Sequence, residues 1–459
     1  MAGKTVDLIR GEIRPNLLRF AMPMFLGQVF QQLYNMVDAL VVGNFEGQNA
    51  LAAVTSTGTL IFLLVGFFGG VFTGVGVVIA RCFGAGEETQ IRRSVGTAVS
   101  FALIASAVLT VIGTTCTPLI LRLMGTPAEV FTDAADYVRT YFFGILTVIL
   151  YNSANGIFQA VGDSKRPLYY LIISSMTNVV LDVVFVGWLK MGVRGAAVAT
   201  VIAQGVSCVL AYVRLARVDG PYRTTFRGLC IDKPLLRQMI RIGLPSGVQN
   251  SVIAFANVIV QSSVNSFGAG AMAGNGSYTK LEGFAFIPIN AFTAAVTTFV
   301  SQNIGAGQFD RVKKGARFGI AFSCGCAAAV GVVFFLFAPT FIGFFGKSPD
   351  AIMAGVLRAR ICAPFYALLA MSHGIAAVCR GAGFSKVPMF VMLGDWCLFR
   401  VTYIAFIVKF FNSIALVYWA YPITWLISAA LFLWYYRRSH WLERVQGSWP
   451  RPAKTGKEA

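Results

Sequence analysis

Apolar runs of about 20 residues, the length a helix needs to cross a bilayer, recur along the chain between short polar intervals. Helical periodicity and turn residues predict twelve helices, near 15–42, 51–80, 93–117, 133–160, 166–189, 193–216, 237–266, 277–302, 315–345, 353–380, 386–410 and 413–436. The longest polar interval, RLARVDGPYRTTFRGLCIDKPLLRQ at 214–238, divides them six and six. The expected organisation is an N-terminal lobe over 1–225, ending in a linker, and a C-terminal lobe over 226–459, ending in a basic tail.

The two halves repeat. RFAMP at 19–23 answers RIGLP at 241–245, FGAGEETQIRR at 83–93 answers IGAGQFDRVKK at 304–314, and GDSKRP at 162–167 answers GFSKVP at 383–388. AVATVIA at 197–203 sits where VYWAYPIT at 417–424 falls. An even number of helices per half makes the repeats parallel, related by an axis along the membrane normal, and transporters of this kind place substrate between the halves. Pro23 and Pro245 are expected to bend the first helix of each half, Pro23 acting as a hinge. Gly66, Gly70 and Gly74 form a row that lets a neighbouring backbone approach closely.

Composition sharpens this picture. Only 12% of the 459 residues are charged and 56% are hydrophobic, against roughly 25% charged in a soluble domain. The fold class is therefore an all-α membrane protein with almost no extramembrane domain, lodged among lipids. The net charge of +19 would suit nucleic acid, but its placement does not. Lys and Arg gather at the termini and in alternate loops: Arg81, Arg92 and Arg93; Lys165 and Arg166; Arg214 to Arg241; Arg311 to Arg317; Arg380 with Lys386. That is the positive-inside pattern, which predicts a multi-pass protein of the cell membrane with both termini cytoplasmic. The polar, basic start MAGKTVDLIRGEIRPNLLRF has no features of a cleaved signal peptide.

Enzyme chemistry and resident metals are not expected. The nine cysteines lie mostly in apolar stretches, and the one close pair, CGC at 324–326, has no histidine or acid beside it. Of two histidines, His373 sits on an apolar helix and is expected to pack. GDSK and GFSK read as turns, not phosphate loops.

Carboxylates inside membrane helices are costly and call for a partner or a function. Four are expected there: Asp38, Asp182, Glu282 and Asp395. Gln28, Gln31, Gln32, Asn35 and Asp38 fall within an arc of about 120° on the first helix, a face unsuited to lipid. The seventh helix carries Asn250, Asn257 and Gln261 but no acid, so the halves differ in charge. Asn178 and Asp182 are one turn apart on the fifth helix, as are Thr200 and Gln204 on the sixth. Two carboxylates, an amide oxygen and a hydroxyl suit a hard cation such as Na⁺, and two close acids also suit a shared proton. Glu282 is expected to pair with Lys280. Asp395 and Arg400, five apart, are expected to reach different neighbours.

The Pro23-x4-Gln28…Asp38 pattern, the GAG motifs after helices two and eight, and LEGFAF at 281–286 together resemble the multidrug and toxic compound extrusion (MATE) family over residues 10–440. The resemblance implies a V-shaped, two-lobed fold with a cleft between lobes. It implies export of cationic or amphiphilic compounds against Na⁺ or H⁺ entry. It also implies coupling through an N-lobe cluster matched here by Asp38, Asn178, Asp182 and Thr200, which would hold the Na⁺ if that is the ion. In the branch that uses C-lobe acids a glutamate stands near Ile253, so a C-lobe cation site is not expected. Gln28, Tyr34, Asn35, Asn152 and Gln249 are the candidate substrate contacts. No cofactor beyond the coupling ion is expected, and the chain is expected to work as a monomer. Rival readings are a flippase for a lipid-linked saccharide, favoured by Arg or Lys lining the central cleft, and a membrane enzyme.

Overall fold

The computed structural model describes residues 5–45, 47–123, 128–225, 228–345 and 348–448, with the side chains of 34–62, 123–130 and 448 outside that description. Among the described residues the chain is helix and turn, without strands. The first half comprises α1 (Ile13–Phe45), α2 (Gly47–Ala85), α3 (Glu88–Leu123), α4 (Ala128–Phe143), α5 (Ile145–Ala160), α6 (Lys165–Asp182) and α7 (Gly192–Arg217). The second comprises α8 (Lys233–Asn265), α9 (Ala269–Gly305), α10 (Phe309–Leu336), α11 (Ala338–Phe345), α12 (Pro349–Cys362) and α13 (Tyr366–Gly381). It continues through α14 (Lys386–Met392), α15 (Arg400–Phe410), α16 (Ile414–Arg438) and the short α17 (Trp441–Ser448). A π-helical stretch, Val183–Trp188, follows α6, and another, Leu393–Phe399, joins α14 to α15.

By length and composition, ten described helices can cross a membrane, or eleven with α4 and α5 counted together. The 33-residue α1 is a further helix of spanning length. This is a multi-pass membrane protein. The single helix expected at 133–160 is instead two, bent by 49° at Gly144. Pro23 and Pro245, where bends were expected, lie inside helices that continue through them.

Two separate hydrophobic cores define the lobes. One is built mainly from α2 to α7, including Val75, Val99, Ile149, Phe158 and Ala197, with Leu235, Met239 and Ile242 from the start of α8. The other comes from α8 to α16, including Tyr278, Ile342, Tyr366, Trp396 and Trp425. A third cluster sews the lobes together: Leu8, Leu17 and Phe20 of the amino-terminal region pack with Phe292, Val296 and Phe299 of α9. The internal repeat survives in backbone detail. Gly86 and Gly307 have φ of 71° and 70°, Gly162 and Gly383 both 84°, and Lys190 and Asn412 50° and 43°.

The basic turns share one face of the molecule. Val6 N–H donates to the Gly162 carbonyl (3.0 Å), Asn303 and Arg311 donate to the Leu8 carbonyl, and Arg93 lies 3.8 Å from Asp232. Gly162 is required twice over: its φ is positive, and a Cβ there would stand 2.5 Å from the Val6 carbonyl oxygen. In the same turn Asp163 pairs with Arg166. Burial pushes the Asp163 carboxyl up from its usual range while Arg166 opposes the shift.

At this basic end the lobes touch backbone to backbone. Gly70 and Gly74 of α2 meet Gly247 and Gly243 of α8 so closely that a methyl group on either side would overlap main chain. The glycine row read from the sequence is thus the contact surface between the lobes. Next to it, Arg81 donates to the Gly381 carbonyl (3.0 Å). Gln302 donates to the Ala160 carbonyl (2.6 Å), again from one lobe to the other.

Candidate functional site

Three polar groupings lie inside the helical bundle. The first is on α6 and α7 in the N-lobe. Asn178 and Asp182 are 1% and 0% exposed, one turn apart, on the face that packs against α7. Asn178 Nδ2 reaches the Thr200 hydroxyl at 3.5 Å, and that hydroxyl in turn donates to the Ala196 carbonyl at 3.0 Å. A turn or more toward the basic end, Ser174 donates to the Ala203 carbonyl (2.8 Å), which holds the two helices in register. The structure therefore gathers buried Asn178 and Asp182 on one face of α6, with Asn178 meeting the half-buried Thr200 of α7. Asp38, the fourth member expected there, lies outside the described side chains, as do Tyr34 and Asn35.

The second grouping is a cavity of about 250 Å³ between the lobes. Thr73 and Gly76 come from α2, Asn152, Asn155 and Gln159 from α5, and Gln249 and Asn250 from α8. Asn290 and Thr293 come from α9, with His373 and Arg380 from α13. Asn152 and Gln249, two of the candidate substrate contacts, line it. Gln28 does not; it is half-buried on α1. Arg380, assigned from the sequence to a basic loop, instead turns inward and is only 8% exposed. Its Nη1 donates to Gln249 Oε1 at 3.3 Å. His373 does pack, edge-on to Phe286 and Trp396, and also borders this cavity.

The third grouping is a buried ionic network in the C-lobe. Glu282 does not pair with Lys280, which instead lies over the Phe345 ring. Residues two apart on a helix point to nearly opposite sides. Glu282 pairs with Arg358 of α12 at 3.1 Å, and Arg358 is 2% exposed. Arg358 also donates to Asn275 and to Thr279 (3.2 Å). Its guanidinium sits between the rings of Tyr278 and Tyr421, 4.5 and 4.6 Å from their centroids. Arg400 donates to Thr424 (2.6 Å) and lies over Trp396 and Tyr421. Asp395, 4% exposed, forms no ion pair with it within 4.0 Å among the described residues. Arg400 thus reaches Thr424, while both carboxylate oxygens of Asp395 are buried without a hydrogen-bond partner among the described residues.

No group of three or more His, Cys, Asp or Glu side chains able to hold a metal occurs among the described residues. With two six-helix lobes in a membrane, a polar cavity between them and ionisable groups turned away from lipid, the architecture is that of a two-lobed membrane transporter. The MatE family model matches residues 23–184 and 245–404, once in each half. The chain belongs to the MATE family, whose members are transporters and not enzymes. It is 30% identical over 428 residues to the probable multidrug resistance protein YoeA of Bacillus subtilis, covering 91% of this chain and 92% of that one. It is 26% identical to the probable multidrug resistance protein NorM of Thermotoga maritima, over 87% of each. A solved MATE structure in complex with MaL6 superposes with a TM-score of 0.90 at 24% identity, covering 97% of this chain and 100% of that one.

Proposed function

We propose that this protein is a secondary antiporter of the cell membrane, exporting small amphiphilic compounds in exchange for Na⁺ or H⁺ by alternating access. The observation that carries the reading is the burial of Asp182 beside Asn178 and Thr200, in the lobe that carries the GxxxGxxxG contact with its partner lobe. A carboxylate with no exposed surface in a membrane protein is expensive unless its charge is used. Binding of a cation or proton there, by Asp38 and Asp182 together, would remove charge from the N-lobe and change the packing of α6 against α1 and α7. Each ligand shifts the balance between conformations by its difference in affinity for them.

Contact of the lobes at the basic face supports assigning this arrangement to the state open on the opposite side. With the positive-inside distribution, that opposite side is the exterior and both termini are cytoplasmic. The relatives named for multidrug resistance support export rather than uptake. Arg380 in the cavity is the one feature that favours the rival flippase reading, and it bears more directly on the charge of the cargo. The test is transport by the reconstituted protein in vesicles, with Na⁺ and pH gradients imposed separately. Asp182→Asn and Asp38→Asn should each abolish gradient-driven transport while leaving the protein folded. Full gradient-driven transport by either variant would refute the coupling role.

A further inference from the structure

We propose that the cavity between the lobes binds the anionic group of its substrate, with Arg380 as the charge partner. This rests on the reading of the protein as a transporter whose cargo occupies that cavity. It reverses the sign of charge expected from the family resemblance.

Three observations carry it. First, among the described residues the cavity lining includes a guanidinium and no carboxylate: the polar side chains around Arg380 are amides, hydroxyls and one histidine. Second, that guanidinium has no ionic partner. Among the described residues the ion pairs within 4.0 Å are Arg93–Asp232, Arg166–Asp163, Arg358–Glu282 and His440–Glu443, so Arg380 is in none of them. The C-lobe shows the contrast, since buried Arg358 there has its own carboxylate. A guanidinium 8% exposed and left without a counter-charge is a site prepared for an anion. Third, two of the amides in the lining, Gln249 and Asn155, present donors. Arginine has no acceptor, so Gln249 must turn its oxygen to Arg380, which leaves its Nε2 hydrogens for the cavity. Asn155 likewise accepts from Gln159 (2.9 Å) through its oxygen, leaving its own NH₂ for the cavity. A carboxylate, sulfonate or phosphate would accept from all three groups. A quaternary ammonium would lie beside a positive charge that no carboxylate offsets among the described residues.

Charge selectivity can be read without any ion gradient, which separates this proposal from the coupling mechanism. The full chain in lipid nanodiscs is titrated with naphthalene-1-sulfonate and with trimethyl-1-naphthylammonium, which share a ring and differ in charge. The sulfonate should bind at least about tenfold more tightly, the scale of a charge-assisted hydrogen bond. Arg380→Gln should weaken sulfonate binding about ten- to a hundredfold and leave the ammonium unchanged or improved. Arg380→Lys should retain most of the preference. If Arg380→Gln does not fold, Gln159→Glu, which adds an acid to the facing wall, should weaken the sulfonate selectively. Equal or tighter binding of the ammonium by the wild-type protein would overturn the proposal. So would equal loss of both probes in Arg380→Gln and in Arg380→Lys. Failure of gradient-driven transport with this preference intact would instead count against the coupling reading alone.

Discussion

Arg358 and Glu282 show what a single buried residue demands of its surroundings. The guanidinium is enclosed by tyrosine rings, and its terminal nitrogens are bonded by Asn275, Thr279 and Glu282, which recur at helical spacing along one face of α9. Glu282 was visible in the sequence as an acid within the membrane, but its partner was not, because Arg358 lies 76 positions away on another helix. Attention to the nearby Lys280 instead led to the wrong pair. Removing one member of a buried ion pair strands the other, at a cost of about 3–5 kcal/mol. Arg358→Ala should therefore lower the unfolding temperature in detergent sharply. The double variant Glu282→Gln with Arg358→Met should recover a substantial part of the loss, since it strands no charge.

Among the elements, the crossing of α2 and α8 matters most for movement. Glycines on both helices bring the backbones into contact at the basic end, and no side chain fits between them. Because Gly74 abuts the main chain of Gly243 and Met239 in α8, Gly74→Val should hold the helices apart. Spin labels on the basic ends of α2 and α8 should report a longer distance in that variant, and transport should fall at least about tenfold if closure is needed for turnover. Unchanged distances would mean that the bundle adjusts elsewhere. Pro23 and Pro245 both lie inside helices that continue through them, α1 and α8. A 49° bend falls at Gly144, between α4 and α5. Periodicity alone could not separate this from one long helix, since both segments remain apolar and in helical register.

For the whole molecule, the first described residues tie the lobes together. Val6 bonds to Gly162 in one half, Leu8 receives Asn303 and Arg311 from the other, and the Leu8 side chain is fully buried. With Arg81–Gly381 and Gln302–Ala160, these bonds close the basic face. Deleting residues 1–11 should broaden the distribution of distances between the lobes on that face, measured by double electron–electron resonance. It should leave the thermal stability of the lobes, whose two cores exclude this segment, little changed.

The division into halves, the count of long apolar helices, the repeat near 221 residues and the isolation of acids within the membrane were all legible in the chain. Each follows from short-range chemistry: hydrocarbon thickness sets segment length, backbone hydrogen bonding makes those segments helices, and the energetic cost of charge in lipid marks the exceptions. The grouping of Asn178, Asp182 and Thr200 was accessible too, because it needs only one-turn spacing on two helices adjacent in sequence. The pairing of Glu282 with Arg358, the inward turn of Arg380 and the polar cavity around it were decided in three dimensions. These depend on which helices pack together across hundreds of residues, and a basic residue at a helix end reads the same in sequence whether it faces water or a cavity.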